Sequence, residues 1–288
     1  MIPSHPGSGP TVLRILLGSQ LRKLREARGI SRDDAGYRIR ASGSKISRLE
    51  LGRVSFKERD VVDLLDLYGV DELAERTQLI TLAREANSPA WWQKYSDVVP
   101  DWFQIYVGLE EAAELIRVYE VQFVPGLLQT EEYARAVVRQ GQPAAAADEV
   151  ERRVALRTRR QQLLSRPNAP RLWAVVDEGA LRRPMGGKAV MQGQIERLMA
   201  ATREPNITLQ VLPFTFGGHA AEGGAFTVMR FPEADMSDIV YIEQLTGALY
   251  LDKREDVERY SEVMERLSVK GTSPDRTQDI LAAILKEL

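Results

Sequence analysis

Apolar residues recur at helical intervals through the first third of the chain. Leu17, Leu21 and Leu24 are three or four residues apart, and the other faces carry the basic residues Arg22, Lys23, Arg25 and Arg28. Gly29 follows the last turn, where glycine commonly ends a helix. The pattern predicts an amphipathic first helix with one buried face and one basic face.

Two short helices are predicted next. Ser31 and Asp34 have the serine-x-x-aspartate spacing of a capping box, which begins a second helix. After a tight turn, Ser42 is a natural N-cap for a third helix that runs to about Leu51. A pair of short helices joined by a tight turn predicts a helix-turn-helix arrangement.

The predicted third helix separates apolar from polar residues. Ile46 and Leu49 lie three positions apart and are expected to face inward, whereas Ser44, Lys45 and Arg48 share the opposite face. In a helix-turn-helix protein the second helix of the motif enters the major groove of DNA, and its outer groups contact bases and phosphates. The sequence therefore predicts a DNA-recognition helix here.

Further helices complete this region. Apolar positions in 61–68 follow the i, i+3, i+4, i+7 spacing of a buried stripe, and a fifth helix is predicted from about 71 to 86. We therefore predict a five-helix DNA-binding bundle over residues 13–86, preceded by a flexible tail at residues 1–12.

An aromatic segment, residues 87–108, follows the predicted bundle. Aromatic side chains at this density either stack on bases, bind a ligand or bury the segment against a neighbouring domain, and packing is the commonest outcome. We interpret the segment as a connector. Its aromatic residues are Trp91, Trp92, Trp102, Phe103 and Tyr106.

The remaining residues, 109–288, mix helical and strand-like patterns. The segment 109–120, LEEAAELIRVYE, is predicted as a helix. Stretches rich in β-branched and aromatic residues predict strands at 172–176, 207–214, 225–231 and 239–252. The fold class is therefore α+β, with the helical bundle followed by a mixed α/β domain that holds a small, largely antiparallel sheet.

Charge is unevenly distributed along the chain. The formal net charge is −2, but residues 12–59 hold thirteen Lys or Arg and five Asp or Glu, a balance of +8 that leaves −10 elsewhere. A basic region on an acidic chain favours a polyanionic partner, although an arginine-rich surface without a partner gives the same balance.

Composition also restricts the cellular setting. Cysteine is absent, which excludes disulfides, thiolate nucleophiles and cysteine-ligated metal sites. No apolar run approaches the ~18 residues of a membrane span. The first ten residues, MIPSHPGSGP, lack the pattern of a secretory signal, so a cytoplasmic location is expected.

A family resemblance rests on three stretches, LRKLREARGIS, SKISRLELGR and VVDLLDLYGV. The run Ile-Ser-Arg-Leu-Glu at 46–50 is similar to the Ile-Ser-Arg-Ile-Glu-like pattern of the recognition helix in lambda-repressor-like regulators, also called the xenobiotic-response-element family. The chain resembles that family over residues 13–86. The resemblance implies DNA binding as a homodimer, with two half-sites about one helical turn apart.

The candidate DNA-binding residues combine this resemblance with the helix faces. Many family members have Gln where this chain has Arg32 and Gly43, and often Gly where it has Arg40. Arg32 is still able to hold phosphate, whereas base reading shifts to the outer face of the third helix. The predicted DNA-binding residues are Arg32, Ser42, Ser44, Lys45, Ser47, Arg48 and Arg53. Glu50 is expected to orient a neighbouring arginine or to cap internally, and not to touch the duplex.

The second part of the chain has a resemblance of its own. Four stretches are similar to the large C-terminal domain, of unknown function, that follows such a head in many actinobacterial regulators. They are YVGLEEAAELIRVYEVQFVPGLLQTEEYARAVV, VVDEGALRRPMGG, TLQVLPF and YIEQLTGALYLD. The resemblance covers roughly residues 90–270. It implies a domain that senses a ligand or a small protein partner encoded nearby.

Candidates for enzymatic chemistry are few. His219 and Glu222 lie in FGGHAAEGGAF, which a hairpin or lid loop explains better than a metal or proton-transfer site, because the only other histidine is His5. Asp177 and Glu178 suit a helix start better than a catalytic pair. We therefore expect no enzymatic activity, no cofactor and no metal.

The function predicted is a sequence-specific transcriptional regulator. It binds a pseudo-palindromic operator as a dimer and is gated through residues 109–288 by a small protein or a ligand. The alternative is a toxin–antitoxin component, or an enzyme-like body whose DNA-binding head is only autoregulatory.

Overall fold

A computed structural model describes residues 9–233 and 236–288. Within these residues the chain forms two compact units. The first unit is built mainly on residues 9–93, joined by 104–112. The second unit contains residues 94–103, 113–231 and 237–288.

Five helices form most of the first unit, as the apolar spacing predicts. They are α1 Pro10–Ala27, α2 Arg32–Arg38, α3 Gly43–Glu50, α4 Glu58–Leu67 and α5 Leu73–Ala86. Helix α1 begins at Pro10, so the prediction that residues 10–12 belong to a flexible tail is wrong; Val12 is fully buried. Residues 1–8 of the predicted tail lie outside the described residues.

Serine caps begin the two helices of the motif. The Ser31 hydroxyl accepts a hydrogen bond from the Asp34 backbone N–H at 3.1 Å, and the Ser42 hydroxyl accepts one from the Lys45 N–H at 3.3 Å. Each bond satisfies a backbone donor that the first turn of a helix leaves unpaired. Both helix starts were predicted from the serines.

Helix α3 is held by close backbone approaches to α1 and α2. A Cβ atom on Gly18 of α1 would lie 2.4 Å from the Leu49 carbonyl oxygen, and one on Gly36 of α2 would lie 2.7 Å from the Ala41 oxygen. Such distances are shorter than van der Waals contact allows, so only glycine permits this packing. Ile46 and Leu49 fill the interior behind α3, as predicted.

The rest of the chain contains seven further α-helices and six strands among the described residues. The helices are α6 Asp101–Ala112, α7 Glu131–Gly141, α8 Ala147–Gln161, α9 Glu178–Arg182, α10 Lys188–Ala201, α11 Arg254–Lys270 and α12 Pro274–Glu287. The strands are β1 Leu115–Glu120, β2 Arg171–Asp177, β3 Ile207–Leu212, β4 Phe226–Arg230, β5 Ile239–Gln244 and β6 Gly247–Leu251. Short 3₁₀ helices lie at Trp91–Tyr95, Gly126–Leu128, Gln162–Ser165 and Phe214–Phe216.

The six strands form one mixed sheet in the order β3-β2-β1-β4-β5-β6. β1 pairs in parallel with β2, and β2 with β3, whereas β4, β5 and β6 join by antiparallel pairing. The β5–β6 hairpin turns between Gln244 and Gly247, in the stretch predicted as a hairpin. The α+β class is confirmed. Three of the five strand pairs described are antiparallel, as expected for a largely antiparallel sheet, whereas the parallel pairing of β1, β2 and β3 was not predicted.

The central strand β1 contradicts the sequence prediction. The segment 109–120 was predicted as one helix, but α6 ends at Ala112 and β1 runs from Leu115 to Glu120. Ile116, Val118 and Tyr119 are all buried, because β1 lies inside the sheet. A buried strand loses the polar alternation that marks a half-exposed one, and no glycine or proline separates it from α6.

Helix α11 covers one face of the sheet in the second unit. Met264 and Leu267 of α11 are buried in one apolar cluster with Tyr119, Val228 and Val240 of the strands. The β-branched and aromatic residues of the strands supply the flat surface that a helix of this kind covers. The carboxyl ends of β1 and β2 therefore project from a packed, stable layer.

The aromatic segment contributes mainly to packing. Trp92 and Tyr106 are buried, and the rings of Trp91 and Trp92 meet edge to face with centroids 5.6 Å apart. This geometry is favourable for aromatic pairs. Among the described residues, no helix combines the length and apolarity required to cross a membrane.

Candidate nucleic-acid interface

The turn between α2 and α3 is tight. The Ala41 N–H donates to the Gly36 carbonyl at 2.8 Å, which closes α2 and directs the chain into α3. Arg40 in this turn has a φ of 56°, in the left-handed region that glycine prefers. The departure from glycine at this turn therefore places an exposed arginine in a strained conformation beside the recognition helix.

The outer face of α3 presents two of the predicted residues directly to solvent. Ser44 and Arg48 lie four positions apart and are both exposed, so they project from the same side of the helix. Ser42 is exposed at the helix start, Ser47 is half-buried, and Arg53 is exposed just beyond the helix. Hydroxyl and guanidinium groups in this arrangement suit the bases and phosphates of a groove.

Lys45 takes a different position from its predicted neighbours on α3. Its ammonium lies 2.7 Å from the Asp60 carboxylate of α4, and that carboxylate is almost fully buried. A buried carboxylate requires a partner, and Lys45 supplies the closest cation to Asp60 among the described residues. Lys45 therefore ties α3 to α4, while Ser44 and Arg48 remain directed outward.

Arg32 is part of a second ion-pair network, centred on Glu50. Arg25 of α1 donates to both carboxylate oxygens of Glu50, with Nη2 to Oε2 at 3.0 Å, and Arg32 Nε donates to Oε2 at 3.3 Å. The hydrogen bond to Glu50 raises the pKa of Arg25 above its usual value. The expectation that Glu50 orients a neighbouring arginine is confirmed, and Arg32 remains half-exposed.

Two features of this face were missed by sequence reasoning. Tyr37 on α2 is 87% exposed, which is unusual for a tyrosine. The Asp33 carboxylate fills the space beside Gly43, where a Cβ atom would lie 2.2 Å from Oδ1. The signal for the second feature was Gly43 itself, because this chain has glycine where many members of the family that it resembles have Gln.

The enzymatic candidates all lie in the second unit. The Asp177 side chain accepts from the Gly179 N–H at 2.8 Å and caps α9, as predicted. Glu178 accepts from the Phe214 N–H at 2.8 Å. His219 Nε2 lies 3.0 Å from the Tyr119 hydroxyl. Within residues 9–233 and 236–288, no cluster of three or more His, Asp or Glu side chains has a geometry suited to a metal ion.

Comparison with known proteins identifies two families. Residues 16–79 match the family described as "Helix-turn-helix domain", which covers α2 and α3 together with the helices around them. Residues 103–283 match the family described as "Domain of unknown function (DUF5753)". Searches of curated proteins and of solved structures gave no significant match. The chain therefore belongs to the DUF5753 family and is a DNA-binding regulator with a helix-turn-helix head.

Proposed function

We propose that this protein is a sequence-specific transcriptional regulator that binds a pseudo-palindromic operator as a homodimer. One observation carries the proposal: α3 exposes Ser44 and Arg48 while its opposite face is fixed to α1 by Glu50 and by the backbone contact at Gly18. A rigid recognition helix holds its base-reading groups at fixed positions. Arginine on such a helix is suited to a two-pronged contact with guanine.

The short length of α3 supports binding as a dimer. It has eight residues, so a single copy reaches only a few base pairs. Two copies related by two-fold symmetry double the contacts and read half-sites about one helical turn apart. We assign DNA binding to residues 13–86, and dimerisation and sensing to residues 109–288, with a ligand or a small protein partner as the gate. We do not assign an enzymatic activity to the second unit.

The first experiment identifies the operator and tests the role of Arg48. DNA fragments from the source genome that the purified protein retains are sequenced, and affinity is then measured for the operator and for random DNA. Arg48→Ala should weaken operator binding by about 1–3 kcal/mol, roughly 5- to 150-fold, with a smaller loss on random DNA. Arg259→Ala is the matched control, because Arg259 is an exposed arginine on α11 of the second unit.

The outcomes separate base reading from general attraction. Equal losses on both DNAs would show that Arg48 contributes charge and not sequence recognition. A footprint with one half-site, or a complex with the mass of one protein chain, would contradict the dimer. Retention of no genomic fragment at low salt would contradict the whole proposal.

A further inference from the structure

The topology of the sheet forces one long loop across the carboxyl ends of β1 and β2. β3 ends at Leu212 and β4 begins at Phe226. Both points lie on the side of the sheet where β1 and β2 have their carboxyl ends, because β3 is parallel to β2 and β4 is antiparallel to β1. The strand order β3-β2-β1-β4 separates them by about 14 Å, from three strand spacings of about 4.8 Å. Residues 213–225 would span more than about 40 Å if fully extended, which is much longer than this separation. The loop therefore rises away from the strand ends, and we call it the arch.

A cleft of about 560 Å³ lies beneath this arch. Its volume is in the range of about 300–1,000 Å³ that is typical of small-molecule sites. Carboxyl ends of parallel strands are also where ligands bind in open sheets flanked by helices. The polar residues that line the cleft are Tyr119, Gln122, Asp177, Arg183, His219 and Glu222.

The middle of the arch is tethered to the floor of the cleft by His219. The Ala221 N–H donates to His219 Nδ1 at 3.3 Å, so Nε2 carries the ring hydrogen and donates to the Tyr119 hydroxyl at 3.0 Å. Tyr119 is fully buried and uses its oxygen to accept this bond. In this arrangement the hydroxyl hydrogen of Tyr119 is not used in the bond to His219.

Glycines keep the arch open on either side of this tether. Four of them, Gly217, Gly218, Gly223 and Gly224, have no atom within 4 Å of the position that a Cβ would occupy. Positive φ angles account for Gly217 and Gly224, but neither packing nor φ requires glycine at Gly218 or Gly223. The absence of side chains there leaves space for an incoming molecule.

The charges at the cleft favour a ligand with a cationic group. Asp177 and Glu222 contribute two carboxylates, and Glu222 is exposed with no hydrogen-bond partner among the described residues. The single guanidinium, Arg183, donates through Nη1 to the Val121 carbonyl at 3.2 Å, which leaves its other N–H groups available. Burial and the Asp177 charge raise the pKa of Tyr119, so its hydroxyl keeps its hydrogen.

We propose that this cleft binds a small zwitterionic molecule of the basic amino-acid class. Its side-chain ammonium or guanidinium group lies against Asp177 and Glu222, and its carboxylate accepts from Arg183. The inference deepens the proposed function, because such a molecule would be the effector that gates DNA binding. Binding itself does not depend on that role.

The test uses the full chain and four probes in ligand-observed NMR titrations. Arginine and lysine carry both a side-chain cation and a carboxylate. Agmatine lacks the carboxylate, and citrulline lacks the guanidinium. Arginine or lysine is expected to bind with a Kd of about 1 mM or lower. Agmatine and citrulline are each expected to bind about tenfold more weakly, because each loses one charge-assisted contact.

Two variants place the binding in this cleft. Glu222→Gln removes one carboxylate from an exposed loop position and should weaken binding of the basic amino acid about tenfold. Glu262→Gln is the matched control, because Glu262 is exposed on α11 and does not line the cleft. Absence of binding by both amino acids, or equal binding by the two variants, would overturn the proposal.

The gating role is measured separately. Retention of genomic DNA is compared with and without the amino acid, in the wild type and in Glu222→Gln. A Glu222-dependent change in retention supports both the cleft and its role as the effector site. Binding that depends on Glu222 but leaves retention unchanged supports the cleft and contradicts this form of gating.

Discussion

Two buried or partly buried glutamates, one in each unit, differ in how their carboxylates are paired. Glu50 of the DNA-binding bundle has a side chain only 3% exposed and is held by Arg25 and Arg32. Glu120 is partly buried at the end of the central strand, where burial and the negative charge of Glu243 raise its pKa to about 8. The first carboxylate is paired with two guanidinium groups, whereas burial and a like charge raise the pKa of the second.

The difference follows from what each carboxylate must do. Glu50 is the last residue of α3, and its bonds to Arg25 fix the recognition helix to α1. Arg157 lowers the pKa of Glu120, but by less than burial and Glu243 raise it. The paired carboxylate of Glu50 therefore fixes the position of α3 in the bundle. The carboxyl group of Glu120, whose pKa is raised, makes the stability of the second unit depend on pH.

Glu50→Gln should produce the largest effect. It leaves the buried Arg25 with only the longer contact to the half-exposed Glu26 carboxylate, at 3.4 Å, as a charged partner. Breaking a buried pair in this way lowers the free energy of unfolding by about 3–5 kcal/mol. Operator affinity should fall with it, because α3 loses its ion pair with Arg25 of α1. Urea unfolding followed by circular dichroism measures the change, with Glu85→Gln as the control at an exposed glutamate of α5.

The control should stay within about 0.5 kcal/mol of the wild type. A similarly small loss for Glu50→Gln would mean that the neutral amide holds Arg25 as well as the carboxylate does. The contrast between the two glutamates would then disappear.

The second prediction concerns pH. The pKa of Glu120 rises from 4.5, the ordinary value for a glutamate, to about 8 in the folded chain, so between these values the folded state binds more protons than the unfolded state. The free energy of unfolding should therefore fall as pH increases from about 5 to 8, by at most about 1.4 kcal/mol per unit, and level off above that. Thermal unfolding from pH 5 to 9 measures this dependence.

Glu120→Gln isolates the contribution of this one group. The variant should lack the Glu120 part of the slope, so its stability relative to the wild type increases as the pH increases. Glu196→Gln, at an exposed position on α10, should keep the wild-type slope. If the free energy of unfolding of the wild type and of Glu120→Gln changed with pH in parallel, Glu120 would have the same pKa in the folded and the unfolded state.

The sequence predicted the features that depend on neighbouring residues. The caps at Ser31 and Ser42 and the buried stripe from Val61 to Tyr68 are local, so spacing alone identified them. The bond from Ser42 to the Lys45 N–H spans only three residues. Elements of this kind carry their own signals.

Features that join distant residues were not predictable in the same way. The pair of Lys45 with Asp60 and the pair of Arg25 with Glu50 span fifteen and twenty-five residues, and no periodic pattern marks them. Strand β1 was missed because its neighbours in the sheet, β2 and β4, come far later in the chain. The cleft depends on this strand order, so it was not predicted from the sequence either.

The smallest predicted effect tests whether the Glu50 network is complete. The Tyr68 hydroxyl is buried in the bundle without a hydrogen-bond partner among the described residues, and burial, together with the Glu50 charge, raises its pKa. Tyr68→Phe removes an unsatisfied polar group, so the free energy of unfolding should rise by up to about 1 kcal/mol. Urea unfolding at a fixed pH measures the change.

The same substitution in the second unit should have the opposite sign. The Tyr133 hydroxyl accepts from the Val124 N–H at 3.2 Å, so Tyr133→Phe leaves a buried donor unpaired and should cost about 1–3 kcal/mol. If Tyr68→Phe instead destabilised the bundle as much as Tyr133→Phe destabilises its unit, the hydroxyl would have to serve the Glu50 carboxylate through an ordered water. Arg25 and Arg32 would then not be sufficient to hold the Glu50 carboxylate. Glu50 and Glu120 would then both be incompletely paired, and would differ only in how far.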